Sequence, residues 1–336
     1  MSVHAATPLP TRSIGSFPVS AIGLGCMNLS HAYGAPPPPG HAEALLLRAL
    51  DLGITLFDSA ALYGFGANEE LVGRVLEPHR SRIKLASKCG MTGVQGKRVI
   101  DGRPETLRRT CDDSLRRLRT DVIDLYYLHR WDRAVPIEDS VGALSDLVRA
   151  GKVRAIGLSE VSAATLLRAH AVHPIAALQS EYSLWTRNSE IAALQTCRQI
   201  GAAFVAFSPL GRGFLGAELR DTEALGPDDI RRAMPRFEPE AYAANLQLLD
   251  EYAALAREVG CTPAQLALAW LLARGPHVVP IPGTTRIRHL EDNVGAAAVN
   301  LRGDLATRLD ALINQGSVSG ARYGANTQTE IDTEEF

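Results

Sequence analysis

Apolar positions along the chain alternate between two spacings, which predicts strands followed by helices. Short β-rich runs recur eight times, and each precedes a longer stretch whose apolar residues recur about every 3.6 positions. Repetition of this kind is typical of a parallel sheet covered by helices. The predicted strands are residues 22–25, 54–58, 83–88, 123–129, 155–159, 176–179, 204–208 and 278–282.

Glycines and turn residues mark where these elements end. Gly53, Gly151 and Gly201 stand where helices should stop, and glycine is favoured there because helices commonly end on a left-handed residue. Residues 12–20 alternate around a Gly-Ser turn and predict a β-hairpin. Eight strand-helix units favour a closed (β/α)8 TIM barrel over an open doubly wound sheet, with the hairpin capping one end.

The rest of the chain predicts no second domain. Residues 35–40, with four consecutive prolines, and the charged stretch 216–240 are expected to be loops on the barrel rim. The polar, mildly acidic segment 317–336 predicts a flexible tail. We therefore expect one domain over 1–336, with the barrel at about 12–320.

Composition narrows the function classes. The 336 residues carry a formal charge of −2, and arginine pairs are offset by neighbouring acids, so nucleic-acid binding is not expected. Apolar runs stay below the roughly 18 residues that span a bilayer, and the N-terminus does not resemble a signal peptide. Five cysteines without a Cys-x-x-Cys pair suggest free thiols. These features predict a cytoplasmic protein without membrane association, and its oligomeric state stays open.

Four polar residues coincide with the ends of three consecutive predicted strands. Asp58 ends the second strand, Tyr63 follows five residues later, Lys88 ends the third strand and His129 ends the fourth. Each alone fits an ordinary structural role, such as a helix cap, a surface lysine or a core histidine. Together they are difficult to explain structurally, because burying unpaired charge costs several kcal/mol. Barrel enzymes place their chemistry at this end of the strands, so we interpret the four as catalytic.

The four groups suit reduction of a carbonyl by hydride. The product alkoxide needs a proton, and a phenol with a pKa of about 10 is a weak donor at neutral pH. A lysine beside the phenol lowers that pKa, an aspartate positions the lysine, and an imidazole can hold the carbonyl oxygen. Tyr63 is therefore the predicted general acid, supported by Lys88, Asp58 and His129.

An ordered set of motifs, covering about residues 12–320, resembles the aldo-keto reductases. The motifs are IGLGCMNLSHAYG, FDSAALYGFGANEE, LASKCG, IDLYYLHRWD, GKVRAIGLSE, LQSEYSLWTR, FSPLGRGFLG, CTPAQLALAWLLA and IPGTTRIRHLEDN. The similarity is greatest to the microbial and plant branch whose fifth strand ends in Ser-Glu. In this family the Asp, Tyr, Lys and His of these motifs form the catalytic tetrad, which the resemblance assigns to Asp58, Tyr63, Lys88 and His129.

The resemblance also implies a site for NADP(H). The segment Gly211-Arg212-Gly213-Phe214-Leu215-Gly216 has the spacing of a Rossmann fingerprint, but it follows the seventh strand rather than the first, so we reject that interpretation. Ser159, Glu160 and Gln179 could hold the nicotinamide carboxamide, and Phe207 could stack on the ring where many relatives have tyrosine. The implied cofactor residues are Gly25, Cys26, Met27, Asp58, Ser159, Glu160, Gln179, Phe207, Ser208, Pro209, Leu210, Gly211, Gly213, Gly283, Thr284, Thr285, Arg286, Asp292 and Asn293.

Arg286 favours NADP over NAD, although not exclusively. It precedes a predicted helix after the eighth strand, and a guanidinium at a helix start suits a ribose 2′-phosphate. The ordinary alternative is a solvated arginine on the barrel rim. By resemblance, Asp292 and Asn293 would bind the adenine edge.

Two other functions are weighed against reduction. Some barrels of this family are non-catalytic NADP-binding regulatory subunits, which loss of a tetrad residue would favour, but none is lost. A metal-assisted hydrolase or an aldolase would need ligand clusters or a Schiff-base lysine, and His170 and His173 lie on a predicted outer helix. We therefore predict reduction of a small carbonyl compound, without a metal.

The loops suggest substrate residues less sharply. Leu29, Tyr33 and Trp131 stand in loops after predicted strands, and together with Tyr63 and His129 they are the candidate substrate contacts. Core or rim packing explains the three loop residues equally well. The particular carbonyl substrate and the physiological direction of the reaction stay open.

Overall fold

The computed structural model describes residues 9–94, 96–301 and 303–336. The strands are β1 Thr11–Ile14, β2 Phe17–Ser20, β3 Leu24–Gly25, β4 Leu56–Asp58, β5 Lys84–Cys89, β6 Met91–Val94, β7 Lys97–Ile100, β8 Ile123–Leu128, β9 Val153–Ser159, β10 Ile175–Glu181, β11 Ala203–Phe207 and β12 Val278–Pro280. The α-helices are α1 Pro39–Asp51, α2 Ala67–Leu76, α3 Pro104–Leu118, α4 Ile137–Arg149, α5 Ala163–Val172, α6 Ala193–Ile200, α7 Pro239–Val259, α8 Pro263–Leu272, α9 Ile287–Gly295, α10 Gly303–Leu312 and α11 Ala325–Gln328.

Eight parallel strands form the barrel in the order β3, β4, β5, β8, β9, β10, β11, β12. The N–H groups of Gly23 and Gly25 donate to the carbonyls of Pro280 and Pro282, at 3.0 and 3.2 Å, and so join the first strand to the last. A Cβ on Gly25 would lie 2.8 Å from the Ile281 carbonyl oxygen, so this close approach requires glycine. The predicted barrel is confirmed, and its eight strands begin and end within two residues of the predicted positions.

Alternate strand residues separate the barrel interior from the layer beneath the helices. On β8, Leu125 and Tyr127 pack inside the barrel, whereas Tyr126 belongs to the cluster shared with the outer helices. The predicted hairpin is present as β1 and β2, and its Ile14 and Phe17 join the inner cluster. The apolar face of the hairpin therefore closes the barrel, as the sequence predicts.

Helix ends also follow the sequence. Gly53, Gly151 and Gly201 all have positive φ, and each immediately follows or forms the C-cap of its helix.

Among the described residues, no helix combines the length and the apolar content needed to cross a membrane.

Two segments differ from the sequence-based expectation. Strands β6 and β7 form an antiparallel hairpin after β5 that the apolar pattern does not indicate. Residues 317–336, which composition predicts to be a flexible tail, pack on the barrel and bury Tyr323 and Ile331. Asp332 accepts hydrogen bonds from the hydroxyls of Ser162 and Thr165 at the start of α5, at 3.0 and 2.6 Å. The tail is polar because its partners are polar groups at the rim.

Candidate active site

The fold brings the four predicted catalytic residues to one end of the barrel. Asp58 is the last residue of β4, Lys88 lies near the end of β5, and His129 directly follows β8. Tyr63 begins a 3-10 turn, Tyr63–Gly66, after β4. All four side chains are buried, and the Lys88 ammonium is fully removed from solvent.

Lys88 is the centre of a hydrogen-bond chain. Its ammonium donates to the Asp58 carboxylate, to the Ser59 carbonyl at 2.8 Å and to the Tyr63 hydroxyl at 3.3 Å. The Gln179 amide donates to the other oxygen of Asp58 at 2.8 Å. Three acceptors thus match the three N–H groups of the ammonium, which offsets much of the cost of burying it.

The loop that carries Tyr63 is fixed at both ends. The N–H of Ala61 donates to the Lys88 carbonyl at 3.2 Å, and the Ser59 hydroxyl donates to the Asn68 side chain at 2.7 Å. Gly64 and Phe65 both have positive φ, which turns the chain sharply after Tyr63. This geometry holds the phenol above Lys88 and in edge contact with the His129 ring, with centroids 5.8 Å apart.

Electrostatics set the protonation states of the site. Burial raises the pKa of Tyr63 above its ordinary value, and the charge of Lys88 offsets only part of that rise. The expected lowering by Lys88 is therefore present but outweighed by burial, and the phenol is protonated at neutral pH. Burial lowers the pKa of Lys88, but Asp58 and Tyr63 raise it more, so the amine stays charged.

His129 is an uncharged member of the site. Burial, together with the charges of Arg130 and Lys88, holds the pKa of His129 well below its ordinary value. Its Nδ1 is buried and makes no hydrogen bond with any residue that the structure describes. A neutral imidazole can donate its ring N–H to a carbonyl oxygen. Because the pKa of His129 is low, the imidazole does not take the proton of the neighbouring phenol.

A cavity of about 1110 Å³ opens beside Tyr63 and extends to the start of α9. Most residues predicted to bind cofactor or substrate line it, which places them along one continuous surface. They are Gly25, Met27, Tyr33, Asp58, Tyr63, His129, Ser159, Gln179, Phe207, Ser208, Pro209, Leu210, Gly213, Gly283, Thr284, Thr285, Arg286, Asp292 and Asn293.

Five of the residues predicted to bind cofactor or substrate do not line this cavity. Cys26 and Gly211 are buried behind it, and Leu29 packs in the outer core. Trp131 lies outside, where the guanidinium of Arg133 covers its ring. The fifth is Glu160, whose carboxylate is engaged elsewhere.

Glu160 fixes the C-terminal segment rather than facing the cavity. Its carboxylate accepts a hydrogen bond from the guanidinium of Arg322 and a second from the Glu181 N–H at 3.0 Å. Both side chains of the ion pair are buried. Arg322 precedes Tyr323, which lines the cavity, so this pair holds the tail against the mouth of the barrel.

Arg322→Met should lower the free energy of unfolding by about 2 kcal/mol, because it leaves the Glu160 carboxylate buried without its cation. Chemical denaturation followed by circular dichroism measures the change. Arg133→Met is the control. Arg133 forms an ion pair with Asp332, but more than half of the arginine side chain is exposed, so this pair should contribute less than about 1 kcal/mol. A loss below about 1 kcal/mol in Arg322→Met, no larger than that of an exposed pair, would show that the Glu160 contact does not anchor the tail.

The residues near the tetrad fit a nicotinamide ring. Ser159 and Gln179 are neighbours across β9 and β10, and both side chains reach the cavity close to Asp58. The bond from the Gln179 amide nitrogen to Asp58 leaves its oxygen for a carboxamide N–H. Phe207 ends β11 at the same cavity and offers an aromatic surface.

The far end of the cavity fits the phosphates and the adenosine. Gly213 has φ of 96°, and the loop around it lines the cavity beside Gly283. Arg286 is the N-cap of α9 and is largely exposed, with its guanidinium 3.7 Å from Glu218. Asn293 is buried at the wall and makes no side-chain hydrogen bond with a described residue. Asp292 instead accepts from the Thr262 hydroxyl, at 2.9 Å.

Sequence reasoning missed several cavity residues. Arg130 follows His129 directly, and its position beside a predicted catalytic residue could have identified it. His31 comes from a loop, Arg98 from the unpredicted strand β7 and Tyr323 from the tail, and no local pattern marks them. The histidines considered for a metal have other partners, since His170 accepts from the Ile175 N–H at 3.1 Å and His173 contacts the Ser145 hydroxyl at 3.0 Å.

Comparisons with known proteins agree with this geometry. The model of the Aldo/keto reductase family matches residues 21–314. The chain is 44% identical to the probable aldo-keto reductase 1 of Glycine max over 310 residues, which cover 91% of this chain and 89% of that protein. It is also similar to the solved glycerol dehydrogenase from Gluconobacter oxydans, with a TM-score of 0.84 and 30% identity over 90% of this chain and 94% of that one. A holo aldo-keto reductase from Bacillus halodurans gives a TM-score of 0.77 at 27% identity, covering 94% and 99%.

Proposed function

Because the chain belongs to the aldo/keto reductase family, we propose that it uses NADPH to reduce a small aldehyde or ketone to the alcohol. The observation that carries the proposal is the chain from Asp58 through Lys88 to the Tyr63 hydroxyl, which meets a cavity large enough for cofactor and substrate. We further propose that the protein is cytoplasmic and acts without a metal.

In this proposal Tyr63 is the general acid. NADPH supplies the hydride, and the protein supplies the proton and the orientation. The phenol donates its proton to the substrate oxygen, and Lys88 stabilises the phenolate that remains because its ammonium lies 3.3 Å from that oxygen. Neutral His129 holds the carbonyl oxygen near the phenol.

Other residues would position the cofactor. Ser159 and Gln179 would hydrogen-bond the nicotinamide carboxamide, and Phe207 would stack on the ring. Gln179 also donates a hydrogen bond to Asp58, which connects the proposed cofactor-binding residues to the proposed catalytic residues. A regulatory NADP-binding role is the alternative, but the complete tetrad and its hydrogen bonds favour catalysis.

A spectrophotometric assay tests the proposal directly. The purified protein is mixed with NADPH and a panel of aldehydes, ketones, sugars and pyridoxal, and the loss of NADPH absorbance is followed. We expect oxidation of NADPH that depends on the carbonyl compound. Absence of turnover across the panel, with NADPH bound as judged by fluorescence, would support the regulatory alternative instead.

Arg286→Ala should weaken NADPH binding roughly 10- to 100-fold and leave NADH binding almost unchanged, because only NADPH carries the 2′-phosphate. Fluorescence titration of both nucleotides measures the difference. Arg288→Ala is a matched control, since Arg288 also contacts Glu218, at 3.1 Å, but does not line the cavity. Equal losses for the two nucleotides in Arg286→Ala would remove Arg286 from the phosphate site.

A further inference from the structure

One arginine of the cavity differs from the others in its partners. Arg130 has no acidic partner among the residues that the structure describes. The remaining cavity arginines are paired: Arg98 with Glu330, Arg212 with Glu181, Arg231 with Asp229 and Arg286 with Glu218. Asp58 and Lys88 also neutralise each other. Arg130 is therefore the one uncompensated cation on the described part of the cavity wall near the tetrad.

The backbone and Ser159 fix the orientation of this guanidinium. Its Nη1 donates to the His129 carbonyl at 2.7 Å and to the Ser159 hydroxyl at 3.3 Å. Its Nε is buried and has no hydrogen-bond partner among the described residues. A partly buried cation without a counter-charge is unfavourable, and an anion bound in the cavity would supply that charge.

The guanidinium lies at the end of the cavity that carries His129 and Tyr63. Arg130 directly follows His129 in the chain and contacts Ser159 across the sheet. Its positive charge helps to lower the pKa of His129 and offsets a part of the rise in the pKa of Tyr63. Apolar side chains, among them Met27, Leu62 and Met91, line the cavity around this position. An anionic group held by Arg130 would thus bring the rest of a small molecule against this apolar wall, in the cavity that Tyr63 also lines.

We propose that Arg130 binds a carboxylate of the substrate, so that the preferred substrates are carbonyl compounds that carry a carboxylate a short distance from the carbonyl group. This inference rests on the proposed reductase activity. Because Nη1 is engaged and Nε is buried, the carboxylate would accept a charge-assisted hydrogen bond from Nη2, whose direction is fixed by the two bonds of Nη1. The bound carboxylate would also neutralise this cation.

Matched acids and esters test the proposal. The kcat/KM values for 2-, 3- and 4-formylbenzoate are compared with those for their methyl esters, at saturating NADPH. We expect the wild-type protein to prefer at least one acid over its ester by roughly tenfold or more, mainly through KM. In Arg130→Met the acid-to-ester ratio should fall to about one, and Arg130→Lys should keep an intermediate ratio because it retains the charge but not the fixed direction of the donor.

A second measurement examines binding without turnover. Benzoate should raise the melting temperature of the NADP⁺-loaded wild-type protein but not that of loaded Arg130→Met, and added salt should reduce the shift. Arg133→Met is the control, because Arg133 is three residues further on, pairs with Asp332 and lies outside the cavity. It should keep both the ratio and the benzoate shift.

The outcomes separate this inference from the proposed function. If esters are reduced and the wild-type protein shows no preference for any acid, the carboxylate site is wrong and the reductase stands. Equal losses for acid and ester in Arg130→Met, with weaker NADPH binding, would mean that Arg130 only positions Ser159 and would overturn the inference. If nothing is reduced but benzoate stabilises the protein through Arg130, the anion site stands and the proposed reaction fails.

Discussion

Tyr63→Phe should lower kcat for carbonyl reduction by about 10²- to 10⁴-fold, the usual contribution of a general acid. The substitution removes one hydroxyl and keeps the ring that contacts His129. The hydroxyl faces Lys88 at 3.3 Å, so its loss removes the proposed proton donor and leaves Lys88 bound to Asp58 and Ser59. Steady-state kinetics with NADPH, together with fluorescence titration of the cofactor, measure the effect. NADPH affinity should stay within about twofold, because the phenol acts on the substrate oxygen.

The pH dependence adds a second check on Tyr63. A general acid must be protonated, and burial raises the pKa of Tyr63 above its ordinary value near 10. The rate of reduction should therefore not fall between about pH 7 and pH 9, and it should decline only as the pH passes the raised pKa. Near-wild-type turnover by Tyr63→Phe, or a decline of kcat well below pH 9 in the wild-type protein, would contradict its role as the acid.

Lys88→Met should destabilise the protein by about 3 to 5 kcal/mol, because it leaves the buried Asp58 carboxylate without its cation. Among the residues that the structure describes, only the Gln179 amide, at 2.8 Å, would still donate to that carboxylate. Reduction should be lost as well, since Tyr63 would lose the charge that stabilises its phenolate. Urea denaturation and single-turnover kinetics on the folded fraction measure the two effects separately.

A double variant distinguishes stability from catalysis at this pair. Asp58→Leu combined with Lys88→Met removes both charges, so it should recover part of the lost stability while remaining inactive. Lys84→Met is the control on the same strand, because its ammonium is partly exposed and lies 3.9 Å from Asp124. If Lys84→Met and Lys88→Met lost stability equally, the buried pair would not be the cause.

The alternation of apolar spacings was enough to predict the barrel. In each strand and helix the spacing of apolar residues indicates which face is buried. Glycines such as Gly151 and Gly201 indicate where helices end. The four predicted catalytic residues could also be identified from the sequence, because Asp58, Lys88 and His129 lie at or next to the ends of strands that meet at one edge of the barrel. Motif resemblance then indicated the cofactor region, and most of those residues do line the cavity.

Only the tertiary structure decided which polar groups pair with one another. Glu160 has the position of a cofactor ligand in the sequence, yet its carboxylate binds Arg322, which lies 162 residues further along the chain. The same contact holds residues 317–336 on the barrel, although their composition alone predicts flexibility. The lack of an acidic partner for Arg130 becomes visible only in the folded structure, where each of the other described cavity arginines forms an ion pair with an acidic residue. Spacing along a chain determines which face of an element is buried, whereas the partner of a buried charge depends on residues that folding brings together from distant positions.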